Sequence, residues 1–243
     1  MLPHAANVVT QAGQLAELAL ASSAEISGTV RIGIQPSLAR GLIARLMRMT
    51  NDSHPGIRLC VLEGSSGELR EWWQTGHVDL AVLFRYDVHL DADEQRLAVV
   101  NAHLVGASGE RLNPRRGVPF RMLDNLPLVL GSSPNNMRTL LEQLARKEGL
   151  RLNIVFESNS VHAMLEAVSQ GYGYAVLAGD VAIAGMVQGR LLRSAPIVSP
   201  QIDCTLSLGI SSQRPSTPAT REVARIVRRL VESLDAELRS PYP

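Results

Sequence analysis

The chain has 243 residues, 45% of them hydrophobic and 19% charged, which is enough apolar material for one large or two small domains and excludes a disordered chain. Lys and Arg number 24 against 23 Asp and Glu, so the net charge of +1 supplies no basic field for a phosphate backbone, and nucleic acid is not the expected partner of this segment alone. No window reaches the roughly 18 to 20 apolar residues of a membrane span, and no export signal opens the chain, so no membrane contact and a cytoplasmic location are expected.

Residues 5–24, AANVVTQAGQLAELALASSA, suit a helix, with Val8, Leu15, Leu18 and Ala19 apolar and Gly13 the one interruption. GTVRIGIQPS then reads as a strand with Val30, Ile32 and Ile34 on one face, and Pro36 and Ser37 open the helix LARGLIARLMRM. IRLCVLEGSS is a second strand. The helix ELREWWQTG follows, opened by capping-box spacing from Ser65 to Glu68 and ended by Gly76. VDLAVLF is a third, wholly apolar strand, and this alternation implies a largely parallel sheet covered on both faces, hence an α/β fold.

LAVVNAHLVGA leads out of this first unit, and NPRRGVPFRMLDN connects it to LPLVLGSS, where the alternation resumes. A helix is expected after Ser133 and Pro134, then the strand LNIVFES, a helix from Val161 to Gln170 closed by Gly171, the strand YGYAVLA and a short helix after Asp180. CTLSLGISS is a further strand. The last helix opens with Thr217 as cap and Pro218 at its first position, and its apolar stripe is Val223, Ile226, Val227, Leu230 and Leu234. Arg225, Arg228 and Arg229 fall mostly outside that stripe and read as a solvated face. Cys60 and Cys204 lie in strand-like runs and are expected to be buried, unbridged thiols; of the adjacent Trp72 and Trp73, one should pack inward and the other lie nearer the surface.

The six histidines never take the spacing of a metal site, so neither a metal nor another cofactor is expected. GSSG at Gly64–Gly67 lacks the final glycine of a nucleophile elbow, because Glu68 stands there. Four segments share a different feature: Pro36 with Ser37, Gly64 with Ser65 and Ser66, Ser132 with Ser133 and Pro134, and Asn159 with Ser160. Each joins a strand to a helix. Helix N-termini offer unpaired N–H groups and partial positive charge, so four of them converging beyond the carboxyl ends of the strands would hold a carboxylate or other anion.

GTVRIGIQPSLARGLIARLM and HPGIRLCVLEGSSGELREWWQTGHVDLAVLF resemble, in order and spacing, the opening of the substrate-binding domain of LysR-type transcriptional regulators. LPLVLGSSPNNMR and SNSVHAMLEAVSQGYGYAVL are similar to two later family segments, and EGSSGELREWW and PLVLGSSPNNMR resemble most the nitrogen assimilation control subgroup. The resemblance implies two Rossmann-like lobes with a cleft and crossing strands, as in type 2 periplasmic solute-binding proteins. It divides the chain into the end of a linker helix (1–27), lobe I (28–104 and 209–240) and lobe II (105–208). By position it carries effector contacts onto Gln35, Ser37 and Leu38, onto Gly64, Ser65 and Ser66, onto Ser132, Ser133 and Asn136, and onto Ser160 and Val161.

The function so implied is a ligand-sensing regulatory domain that takes a small anionic effector between its lobes, with Ser37 and Ser133 expected on the same ligand. The implied partners are that effector, other copies of the chain as a homodimer or tetramer, and DNA only through a helix-turn-helix domain that this segment does not contain. A transporter's solute-binding protein is the second reading. An enzyme is a third, for which the loop residues, nearly all Ser, Asn, Gln or apolar, offer no proton-transfer group.

Overall fold

The structure, a computed structural model, describes residues 26–86, 90–110, 112–113, 115–178 and 192–239. In chain order its first half comprises β1 (Gly28–Ile34), α1 (Pro36–Ser53), β2 (Ile57–Glu63), α2 (Ser66–Gln74), β3 (Leu80–Arg85) and the long β4 (Glu94–Ala107). There follow β5 (Val118–Pro119), a 3-10 turn (Phe120–Leu123), β6 (Pro127–Leu130), α3 (Asn136–Glu148), β7 (Asn153–Glu157), α4 (Val161–Ser169) and β8 (Tyr174–Ala178). β9 (Leu192–Val198), β10 (Asp203–Ile210) and α5 (Pro218–Arg239) complete the described chain. The helix expected over 5–24 and the one after Asp180 lie outside the described residues.

Apolar pattern sets the sheet. β1 buries Val30, Ile32 and Ile34, and β3 is buried at every position, as a strand covered on both faces must be. β1 lies between β2 and β3, parallel to both, with Gly28 opposite Ile57 and Ile32 opposite Leu80. The strand order is β2-β1-β3-β10-β4-β8-β6-β7, so the sheet is mixed: β6 runs parallel to β7 and β8, while β10 is antiparallel to β3 and β4. β4 changes partners along its length. Up to Asn101 it pairs with β10, and from Ala102 with β8 and β9, so one strand joins two sheet halves, each with its own helices. This is a two-lobed α/β fold.

The helix ends follow the cap chemistry. Ser65 Oγ accepts from the Glu68 N–H at 3.3 Å while Glu68 Oε2 accepts from the Ser65 N–H at 2.8 Å, a complete capping box. Thr217 Oγ1 accepts from the Thr220 N–H at 3.1 Å at the head of α5, whose stripe of Val223, Ile226, Val227, Leu230 and Leu234 is buried. α3 starts at Asn136 because Asn135, not Ser133, takes the cap, its Oδ1 accepting from the Arg138 N–H at 3.0 Å. Gly149, at φ 68°, closes α3 in the left-handed conformation.

One sequence expectation changes, and one strand forms where the sequence marks no element. The sequence marks no element over Leu192–Val198, where Arg193 and Pro196 break the apolar pattern, and pairing with β4 makes this stretch the strand β9. Cys60 is exposed rather than buried: α2 is short and covers the outer face of edge strand β2 only around Leu62, which packs with Leu69, Trp72 and Trp73. The tryptophan pair divides as the sequence leads one to expect: Trp73 is buried and Trp72 partly so, against His77 with ring centroids 5.7 Å apart.

At the far end of lobe I, α1 and α5 are tied by His54 Nε2, 2.8 Å from Glu222 Oε1. The Arg225 hydrogen bonds pull the Glu222 carboxyl down to about 2, outweighing burial, which raises it, and His54 adds to the pull. A carboxyl held below its unfolded value of 4.5 gives up its proton more readily in the folded chain. Its contribution to stability is therefore present above about pH 4.5 and is lost as pH falls toward 2. Glu222→Gln is expected to flatten the acid limb of thermal stability across that window, and an acid limb identical to wild type would remove Glu222 from the account.

Candidate functional site

The carboxyl ends of β1, β2, β6 and β7 deliver four loops to one cleft, which encloses a cavity of about 530 Å³. On the lobe I side the Gln35 amide acts as a pin. Its Oε1 accepts from the Phe84 N–H at 2.5 Å and its Nε2 donates to Ser66 Oγ at 2.7 Å, locking the ends of β1 and β3 to the head of α2. Glu68 also lines the cavity, its carboxyl held below its usual range by the hydrogen bonds of Ser65. The four helix heads differ in one respect. α2, α3 and α4 carry side-chain caps, the last from Ser160 Oγ to the Ala163 N–H at 3.3 Å, whereas α1 has none and starts on Pro36 and Ser37 at the cavity wall.

Lobe II supplies Gly131, Asn135, Asn136 and Arg138. A Cβ at Gly131 would stand 2.5 Å from Asn135 Nδ2, so only glycine lets the Asn135 amide lie over this loop. Arg138 Nε meets Glu142 Oε1 at 2.8 Å and its NH1 meets Glu157 Oε1 at 2.8 Å; these two carboxylates, Glu157 first, raise the guanidinium further above its ordinary value. The remaining wall is apolar, with Phe84, Met137, Met164, Val176 and Leu177, plus Tyr86, whose phenol burial pushes well up and keeps protonated.

Seven of the sequence-derived residues line this cavity: Gln35, Ser37, Gly64, Ser65, Ser66, Asn136 and Val161. Leu38 does not; at 1% exposure it faces the core under α1. Ser132 and Ser133 belong to the same loop but lie off the wall, Ser133 on the exposed side. Ser160 faces a neighbouring groove of about 950 Å³, together with Ala39 and Ile43 of α1. Arg138, Tyr86, Met137 and Met164 were not singled out by the sequence. Arg138 had a usable signal: helical side chains tilt toward the N-terminus, so an arginine three residues after an Asn cap reaches the helix mouth.

This wall can bind and orient a small molecule, but it groups no nucleophile with a base. Fold and site together define a ligand-sensing domain of the two-lobed solute-binding type. Residues 23–232 match the family model of the LysR substrate binding domain, and the chain belongs to that family. It is 27% identical over 240 residues to the HTH-type transcriptional regulator BbuR of Bordetella bronchiseptica, covering 99% of this chain and 71% of that protein. To the nitrogen assimilation regulatory protein nac of Escherichia coli it is 25% identical, over 95% of this chain and 74% of that one. The CcmR regulatory domain of Synechocystis PCC6803, solved in complex with 2-PG, shares the fold at a TM-score of 0.72 and 16% identity, covering 85% of this chain and 98% of that one. The chain is therefore the effector-binding domain of a LysR-type regulator, a class that regulates transcription and is not enzymatic, and the transporter reading falls away. No described helix is long and apolar enough to cross a membrane.

Proposed function

We propose that the domain takes a small anionic effector into the cleft cavity and that occupancy changes how the two lobes, and through them the copies of the regulator, are arranged. The carrying observation is the uncapped head of the 18-residue α1, which opens with Ser37 onto a cavity whose opposite wall holds Asn136 and Arg138. The complex of the CcmR domain with 2-PG is a small-molecule precedent on this fold. Lobe I is residues 28–104 with 209–240 and lobe II is 105–208; the pairing of the whole of β10 with β3 and β4 favours moving the return crossing toward Asp203. The copies form an antiparallel homodimer or a tetramer through the α1 face, where Met47 is exposed, and act in the cytoplasm on DNA through a helix-turn-helix domain.

A thermal-shift screen of small carboxylates and amino-acid derivatives would supply an effector, and calorimetry would then test the site. Ser37→Ala removes a hydrogen bond to a charged group, worth about 1.5–3 kcal/mol, so affinity should fall about ten- to a hundredfold. Ser133→Ala, off the cavity wall, should leave affinity unchanged. Wild-type affinity in the Ser37 variant would move the site elsewhere.

A further inference from the structure

We propose that Arg138 reads the effector's charge, the effector being a carboxylate that takes this guanidinium over from Glu157. The inference rests on the cleft reading above. Among the described residues, two charged side chains line the cavity, Glu68 and Arg138. The Glu68 carboxylate is committed to the Ser65 N–H, 2.8 Å away in the capping box, which leaves Arg138 as the cation that faces the cavity.

The two carboxylates on Arg138 are not equivalent. Glu142 lies one turn along the same helix and orients the guanidinium from behind. Glu157 is the last residue of edge strand β7, and its side chain is 45% exposed against 16% for Arg138. Each gives the guanidinium one oxygen, on Nε and on NH1, so neither uses the paired fork that a single carboxylate can fill. An effector carboxylate in the cavity would meet the same cation beside Met137, Met164 and Leu177, where water screens the attraction less than it does at Glu157. The exchange gives up a water-screened partner for a better-shielded one. It also unties α3 from the end of β7, next to Ser158, whose N–H holds the Leu130 carbonyl at 3.1 Å, so occupancy reaches the edge of the sheet.

The test is calorimetric titration of the whole chain with acetate, succinate and benzoate, and with the corresponding uncharged amides. The carboxylates should bind and the amides should not. Arg138→Gln should weaken carboxylate binding about ten- to a hundredfold, with Arg138→Lys between it and wild type. Glu157→Gln removes the competitor and should strengthen binding about two- to fivefold. Both variants lose the same ion pair, so a purely structural role would move affinity in one direction, and opposite movement is the signature of exchange. Carboxylate binding that Ser37→Ala weakens but neither the Arg138 nor the Glu157 variant alters would overturn the role of Arg138 and leave the cleft standing. Amides that bind as tightly as carboxylates would overturn the charge reading alone. Binding by none of these compounds would overturn both.

Discussion

Glu94→Ala is expected to destabilise the domain by about 3–5 kcal/mol, read as a shift of the urea midpoint at constant slope. The Glu94 side chain is 0% exposed and lies 3.3 Å from Arg85 NH1, itself 7% exposed. Ser207 Oγ donates to Glu94 Oε1 at 2.7 Å, and the Asp91 N–H donates to Oε2 at 3.0 Å, so one carboxylate fastens β3, β4, β10 and the turn before β4. Deleting it leaves a buried guanidinium with less compensation, Asp91 Oδ2 being farther off at 3.6 Å, and leaves the Ser207 hydroxyl with only the Leu83 carbonyl at 3.3 Å. Removing one member of a buried pair costs more than the pair contributes, because the remaining charge has already lost its water. Ser207→Ala should cost only about 1 kcal/mol, since it removes a single hydrogen bond. A cost below that for Glu94→Ala would mean that water replaces the carboxylate and that the junction is not dry.

Trp73→Ala should cost about 3–5 kcal/mol, the usual penalty for emptying a large aromatic from a packed core. Trp73 is 2% exposed among Leu69, Val78, Ala81 and Leu83, a cluster that binds α2 to the outer face of β3. Its ring lies against β10 at Gly209, where an added Cβ would stand 2.7 Å from Cδ2 and Cε2. Gly209→Ala therefore clashes with the indole, and should itself cost about 1–3 kcal/mol. The two sites share one volume, so combining Gly209→Ala with Trp73→Phe should cost clearly less than the sum of the single changes. Additive costs would show that the ring can shift and that the contact is loose.

Much of this architecture can be read from the chain because it is written in local periodicity. The alternation in β1, the solid apolar run of β3, the Ser65–Glu68 box and the stripe of α5 each depend on neighbours within a few residues, and each forms as its pattern requires. Within each lobe the strand-to-helix loops share the edge at the carboxyl ends of parallel strands. But β6 and β7 run opposite to β1 and β2, and the two pairs of loops face each other only because β4 spans both lobes.

Selection within those loops is another matter. Ser133 and Asn135 are equally good caps by residue type, and only the path of the backbone into α3 decides that Asn135 caps and Ser133 faces away. Cys60 is exposed because α2 is too short to reach it, and β9 is a strand because β4 offers it a partner, facts absent from either segment's own residues. Arg138 joins Glu157 across 19 positions of sequence, and Gln35 meets Phe84 across 49. The sequence by itself determined most of the elements, the capping box of α2 and the Thr217 cap of α5, because these rest on hydrogen bonds and apolar spacing within one turn or one strand. The tertiary structure decided which side chains face the cavity and which charges meet there, because burial and ion pairing depend on distances between segments that the chain's order leaves open.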